Sequence, residues 1–338
     1  MKRLSTAIDT EEWSSDILLL DGTPSVEYGR QKNVNRLFFL CFITSFVGIV
    51  FFFPTHSLFA WGDLGHQIVG VIAYSRLMPS VKTKVDALLG ADTDDLTAPD
   101  FVSRTTWADK YRDSDRQTTR IRYEGTRQWH FADIDIATGD INAACEHHPK
   151  LLRGTLASAG PPNSCVIDKI DQFIIELRNP FLAKAEKILA LKFLLHFIAD
   201  VHQPLHTADN KDRGGNDIPV LIADDKPPMN LHFYWDNYIV EKVGSDPRSI
   251  GARLSKNLST RAVEAWSKGT PITWAKESFR HAKSVAYHFA GLQEFVDARG
   301  FKGVRLDVAY ENSARLAARQ QLSKAGVRLA TVLNNTMR

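Results

Sequence analysis

The chain carries almost no excess of charge: 42 lysines and arginines stand against 39 aspartates and glutamates, a net +3. No dense basic tract is present of the kind that holds polyanions by counterion release, so a nucleic acid, if bound, is held locally. Cysteine is scarce, three in 338 residues, which excludes a disulfide-dense framework. Internal repeats and linker-like segments are absent, which favours one domain over a string of modules.

Long apolar runs are absent too, with one exception. Leu37 to Phe53, "LFFLCFITSFVGIVFFF", has no charge, follows Lys32 and Arg36, and leads to Ala60. Basic segment, apolar core and small residue form the layout of an export signal cleaved after Ala60. The competing reading is a membrane anchor at the short edge of what spans a bilayer. Residues 1–36 are too long and too acidic for a normal basic segment, and a true start near Val34 would explain them. The expected organisation is therefore residues 1–60 as extension and signal, with 61–338 as a single domain that is secreted or periplasmic. Cys41 leaves with the signal, and Cys145 and Cys165 remain as a pair suited to one disulfide in an oxidising compartment.

The remaining chain reads as all-α. Val166, Ile170, Phe173, Ile174 and Leu177 recur at helical spacing. The stretch from about Leu182 to Val201 is apolar nearly all round and is read as a buried central helix ended by Pro204. Helices are also expected at "SVKTKVDALLG", "PITWAKESFRHAKSVAYHFAG" and "SARLAARQQLSKAGVRLATVLNN", with a Gly-, Asp- and Pro-rich loop over residues 209–229.

Within that central helix His196 and Asp200 stand four apart, on one face, and His206 follows just past Pro204. A carboxylate on an apolar helix is costly to bury unless it is paired or metal-bound. The spacing recurs at His232 and Asp236 in "NLHFYWDN". Two such pairs with His206 supply the nitrogen and oxygen ligands that Zn²⁺ favours. His66 in "WGDLGH", Asp109 in "WADKYR" and His130 in "WHFADID" are further candidates beside aromatic residues. Taken singly, Asp109 reads as an exposed helical acid, Arg112 as a solvated charge and His130 as a core histidine in a short strand.

"WGDLGHQIVG", "WADKYR", "WHFADID", "LHFIADVHQPLH", "GGND" and "NLHFYWD", in this order, resemble the S-one/P-one family of zinc-dependent nucleases over essentially all of residues 61–338. The resemblance implies an all-α domain of the phospholipase C/P-one nuclease type holding three Zn²⁺. It implies one zinc on Asp109, His130, His196 and Asp200, a second on Trp61, His66 and Asp200, and a third on His206, His232 and Asp236. For the second, Trp61 would contribute a free α-amine and its carbonyl, which requires cleavage after Ala60. Catalytic roles are implied for Asp109, which would orient the attacking water, and for Arg112, which would offset charge in the transition state. Phe131 would stack the base 5′ to the scissile bond, Asp133 would hydrogen-bond it, and Asn216 would lie at the cleft rim.

The implied activity is endonucleolytic hydrolysis of single-stranded DNA and RNA to 5′-phosphorylated products, with 3′-nucleotidase activity as an accompaniment. No stable protein partner is implied; the mature chain is read as a monomer that does not span the membrane. The alternatives are a zinc phospholipase C, which lacks the "WGxxGH" spelling, and a non-catalytic protein stapled by zinc, which would need closed four-ligand sites.

Overall fold

A computed structural model describes residues 61–222, 226–297 and 300–338. The apolar run 37–53 and the cleavage position lie outside the described residues, among which no helix is long and apolar enough to cross a membrane.

The architecture is mostly helical. The N-terminal half contains α1 (Gly62–Ser75), α2 (Pro79–Leu89), α3 (Phe101–Arg104), α4 (Trp107–Asp113), α5 (Ile121–Thr126), α6 (Ile141–Ala144), α7 (Val166–Arg178) and α8 (Lys184–Asp200). The rest contains α9 (Leu231–Phe233), α10 (Ile239–Glu241), α11 (Pro247–Lys256), α12 (Thr260–Trp266), α13 (Pro271–His281) and α14 (Val308–Thr336). The periodicity of α7 is borne out: Val166, Ile170, Phe173 and Leu177 are buried, Ile174 is partly buried against the core, and the helix packs on α8. Helix α8 is buried on all sides from Ala190 to Asp200, as its uniform apolarity requires. Helix α1 packs on α11 and α14. Its approach to α14 depends on Gly326, where a Cβ would fall 2.5 Å from Ile72 Cβ.

A cluster of aromatic rings underlies the centre of the fold. Phe193 stacks on Phe173 at 4.8 Å between centroids, meets Trp129 at 5.6 Å and is followed one turn later by Phe197. Cysteines 145 and 165 form the expected disulfide.

The mostly helical architecture bears out the all-α expectation, and one small sheet is added to it. Strands β1 (Pro219–Leu221), β2 (Met229–Asn230), β3 (Gln293–Val296) and β4 (Lys302–Arg305) form a sheet in the order β2-β1-β4-β3. Strand β1 and the first residue of β2 lie in the segment expected to be loop; the two strands pair antiparallel, and β1 runs parallel to the distant β4. Strands this short carry no legible two-residue alternation, and a parallel partner far along the chain leaves no local signal. The sheet matters for the site, because β2 passes directly into α9: the Asn230 side chain accepts the Phe233 N–H at 2.6 Å and starts the turn that carries His232.

Candidate metal centre

Three histidines are oriented by one device. His196, on α8, donates from Nδ1 to the Thr105 carbonyl at 2.7 Å, His206 to the His130 carbonyl at 3.1 Å, and His232 to the Gly214 carbonyl at 2.8 Å. With Nδ1 tied to backbone, each ring turns Nε2 inward, the orientation a metal ligand needs. Gly214 is required for this: its φ is +62°, and a Cβ there would sit 2.7 Å from the Leu205 carbonyl oxygen.

Asp200 is the hub. Its Oδ2 lies 2.9 Å from His130 Nδ1 and 3.2 Å from His196 Nε2, and its Oδ1 lies 3.4 Å from His66 Nε2 and 3.7 Å from His206 Nδ1. His66, from α1, stacks on His196 with centroids 3.9 Å apart. Phe197 meets the His130 ring edge-on at 5.1 Å and gives the cluster an apolar wall on that side.

Beyond α8 the chain turns at Gln203 into a 3₁₀ turn, Pro204–His206, that delivers His206. Asp236 comes from a π-helical turn, Tyr234–Tyr238, of the kind often found at functional sites. Its Oδ2 lies 3.2 Å from His232 Nε2, and its Oδ1 accepts hydrogen bonds from Gln203 Nε2 at 2.7 Å and from the Trp61 backbone N–H at 3.1 Å.

Asp109 and Arg112, three apart on α4, form a buried ion pair at 2.6 Å, and Arg112 also donates from Nε and a terminal nitrogen to Asp113 at 2.9 Å each. The exposed or solvated readings of Asp109 and Arg112 are therefore wrong: both are buried. His130 is buried as well, but on a 3₁₀ turn, Arg127–His130, rather than in a strand.

The potential ligand atoms gather into three groups, each within 4.8 Å: His66, Asp109 and His196; His130, His196 and Asp200; His206, His232 and Asp236. The third matches its implied set. The first two overlap, so the structure brings together His66, Asp109, His130, His196 and Asp200 without dividing them as the resemblance does. Trp61 meets the third group, its backbone N–H donating to Asp236, while its carbonyl accepts the Gly65 N–H at 3.0 Å. Both ring nitrogens of His66, His130 Nε2, His206 Nε2 and Asp200 Oδ1 are buried and make no hydrogen bond among the described residues. Buried polar atoms without partners are costly, and imidazole nitrogens converging with carboxylates match the donor set of Zn²⁺. The residues therefore fit the metal. A fourth cluster contains Cys145, His148, Cys165 and Asp168, but its sulfurs are joined in the disulfide.

The protonation pattern follows from the packing. Burial alone would raise the Asp109 carboxyl, but Arg112, then His196, outweigh burial and hold it well below the usual carboxylate range. Burial likewise pulls the His196 imidazole down, yet Asp200 and Asp109 push it up to about 10. His206 shows the opposite balance, with burial taking it down to about 4.

Above the centre opens a pocket of about 290 Å³ lined by Arg112, Phe131, Asp133, Asn216 and His232, among others. The Phe131 ring lies 4.6 Å from that of His206. Asp133 accepts from Gln128 Nε2 at 3.2 Å, and burial raises its carboxyl. Sequence reasoning missed Gln203, Thr105 and Gly214, whose roles depend on contacts across the fold. It also passed over the arginine-rich stretch "RQTTRIRYEGTR", a visible basic run, whose Arg116, Tyr123 and Arg127 line the same pocket.

A model of the S1/P1 Nuclease family matches residues 61–338. The chain is 28% identical over 297 residues to Endonuclease 2 of Arabidopsis thaliana, covering 82% of this chain and 91% of that protein. It is 27% identical over 299 residues to Nuclease S1 of Aspergillus oryzae, with coverage of 82% and 91%. It is 29% identical over 293 residues to Nuclease P1 of Penicillium citrinum, with coverage of 81% and 97%. The family match spans every residue of the buried histidine and aspartate cluster, and the chain belongs to the S1/P1 nuclease family of phosphodiester hydrolases.

Proposed function

We propose that this protein is an exported, zinc-dependent endonuclease that hydrolyses single-stranded DNA and RNA to 5′-phosphorylated products and also removes 3′-phosphates from nucleotides. One observation carries the reading: buried histidine and aspartate side chains, several with ring nitrogens or carboxylate oxygens that make no hydrogen bond among the described residues, converge beside a pocket that Arg112 and His232 line and whose wall bears the Phe131 ring. Three zinc ions are assigned, to Asp109, His130, His196 and Asp200, to Trp61, His66 and Asp200, and to His206, His232 and Asp236. Zinc so held supplies Lewis-acid activation of water and stabilisation of the charge that develops on phosphate and leaving oxygen.

Within that frame Asp109, held ionised by Arg112, accepts a hydrogen bond from the attacking water and orients it toward phosphorus. Arg112 stays protonated beside two carboxylates and faces the negative charge of the transition state. Phe131 stacks the base 5′ to the broken bond, with Asp133 hydrogen-bonding to that base and Asn216 at the rim. Stacking tolerates any base but requires an unpaired one, which favours single strands.

The N-terminal residue of the active form is Trp61. Trp61 has φ +36°, a strained value for a bulky internal residue, and cutting the bond before it relieves that strain. Cleavage after Ala60 frees an amine beside Asp236 and leaves 61–338 as a single domain.

The test uses the chain beginning at Trp61, with and without EDTA, on denatured DNA, duplex DNA, RNA and phosphatidylcholine vesicles. Zinc-dependent cleavage of the single strands is expected. No cleavage of any nucleic acid under saturating zinc sinks the proposal, and hydrolysis of the lipid alone transfers it to a phospholipase.

A further inference from the structure

Four arginines, Arg112, Arg116, Arg127 and Arg213, line the pocket against two aspartates, Asp133 and Asp209, although the whole chain is nearly neutral. Two of those arginines, with Tyr123, come from one segment between Arg112 and His130. That segment is built in place by Asp115, whose carboxylate accepts the Arg122 N–H at 2.8 Å, the Tyr123 N–H at 3.1 Å and the Thr119 hydroxyl at 2.8 Å. The half-buried Tyr123 ring is thereby fixed at its backbone, and the Arg116 and Arg120 guanidinium groups each lie 4.9 Å from its centroid. Among the described residues Arg116 has as ion pair only a 3.9 Å contact with Asp113, and Arg127, paired with Glu124 at 2.9 Å, is more than half exposed. Each retains charge to offer an incoming anion.

We infer that Arg116, Tyr123 and Arg127 form a strand-binding subsite for a nucleotide outside the pair joined by the scissile bond. The Tyr123 ring and the planar guanidinium groups of Arg116 and Arg120 over it are a stacking platform for a base, and Arg116 and Arg127 take flanking phosphate oxygens. The inference rests on the nuclease reading above and adds to it a reason to prefer longer strands. The physical case is that a fixed aromatic ring and underused guanidinium groups share one pocket with Phe131 and the metal-facing His232, and none of the three residues contacts a proposed zinc ligand among the described interactions.

The experiment compares kcat/KM on a dinucleotide and on a twelve-residue single strand, over a range of salt, for the wild-type chain and for Arg116→Ala, Arg127→Ala, Tyr123→Ala and Tyr123→Phe. The dinucleotide should be cleaved within about twofold of wild type by every variant. On the long strand Tyr123→Ala should lose about tenfold, the lower range for one base stacked on an aromatic ring, while Tyr123→Phe retains wild-type rates. Each arginine variant should lower the steepness of log kcat/KM against log salt on the long strand by about 0.7, the value for one single-strand phosphate contact. Equal losses on both substrates, or unchanged salt slopes, overturn the subsite. Failure of the wild-type chain to cleave either substrate overturns instead the function on which it rests.

Discussion

Gln203 donates to Asp236 Oδ1 at 2.7 Å through Nε2 while its Oε1 accepts the Leu205 N–H at the head of the turn carrying His206. One buried amide thus sets two members of the His206, His232 and Asp236 group. Partners of this kind typically alter metal affinity by about 10- to 100-fold. Gln203→Ala should therefore weaken one zinc by about that factor, read as the chelator concentration that strips it, with overall stability changed little.

Asp200 should be the most consequential single ligand, because both of its oxygens face histidines. Asp200→Asn is expected to remove more zinc per chain than Asp236→Asn and to lower kcat by about a thousandfold, several kcal/mol of lost charge stabilisation. Zinc analysis of the dialysed variants beside their rates checks the ranking; equal zinc loss in the two would count against a shared carboxylate.

Zinc uptake should release protons. With its imidazole pushed up to about 10 in the metal-free chain, His196 is protonated at neutral pH, whereas a zinc ligand must be neutral. Affinity should consequently rise with pH from neutrality toward about 10, up to tenfold per unit for each proton displaced. His206, taken down to about 4, brings no proton to displace. Calorimetry at pH 7 in buffers of different ionisation heat should find at least one proton released per chain, and zero would refute the assignment of His196.

The N-terminus offers a cleaner test than any side chain. A protein retaining a single methionine before Trp61 should bind one zinc fewer and lose more than about tenfold in activity, since two protein ligands are too few for a tight site. Mass spectrometry establishes retention of the methionine, and full activity in that species would remove Trp61 from the ligand set.

The disulfide should matter for stability and not for chemistry. It closes a loop of 20 residues, for which chain entropy predicts about 3 kcal/mol. Cys145→Ser with Cys165→Ser should lower the urea midpoint accordingly and leave the zinc content unchanged.

Much of the centre is legible in one dimension. The two His-x-x-x-Asp pairs put each carboxylate one helical turn from its histidine, and helix geometry alone ensures that they meet. The apolar encirclement of α8 announces a central helix, and the order of the motifs announces the family. The single readings of Asp109 and Arg112 failed because burial is a property of the surroundings, whereas that of His130 had the burial and missed the 3₁₀ turn. Nothing next to Asp109 in the chain reveals that α8 and the 127–130 turn will close over it.

The sequence by itself determined which residue types could hold metal and which of them share a helical turn, because those relations depend only on local periodicity. Tertiary packing alone decided which nitrogen each histidine presents. The Thr105 carbonyl that orients His196 is 91 residues away, and the Trp61 N–H reaches Asp236 across 175. Such contacts arise from how α1, α4, α8 and the π-helical turn pack together, as does the arginine and tyrosine wall beside Phe131. Local spacing carries no record of them.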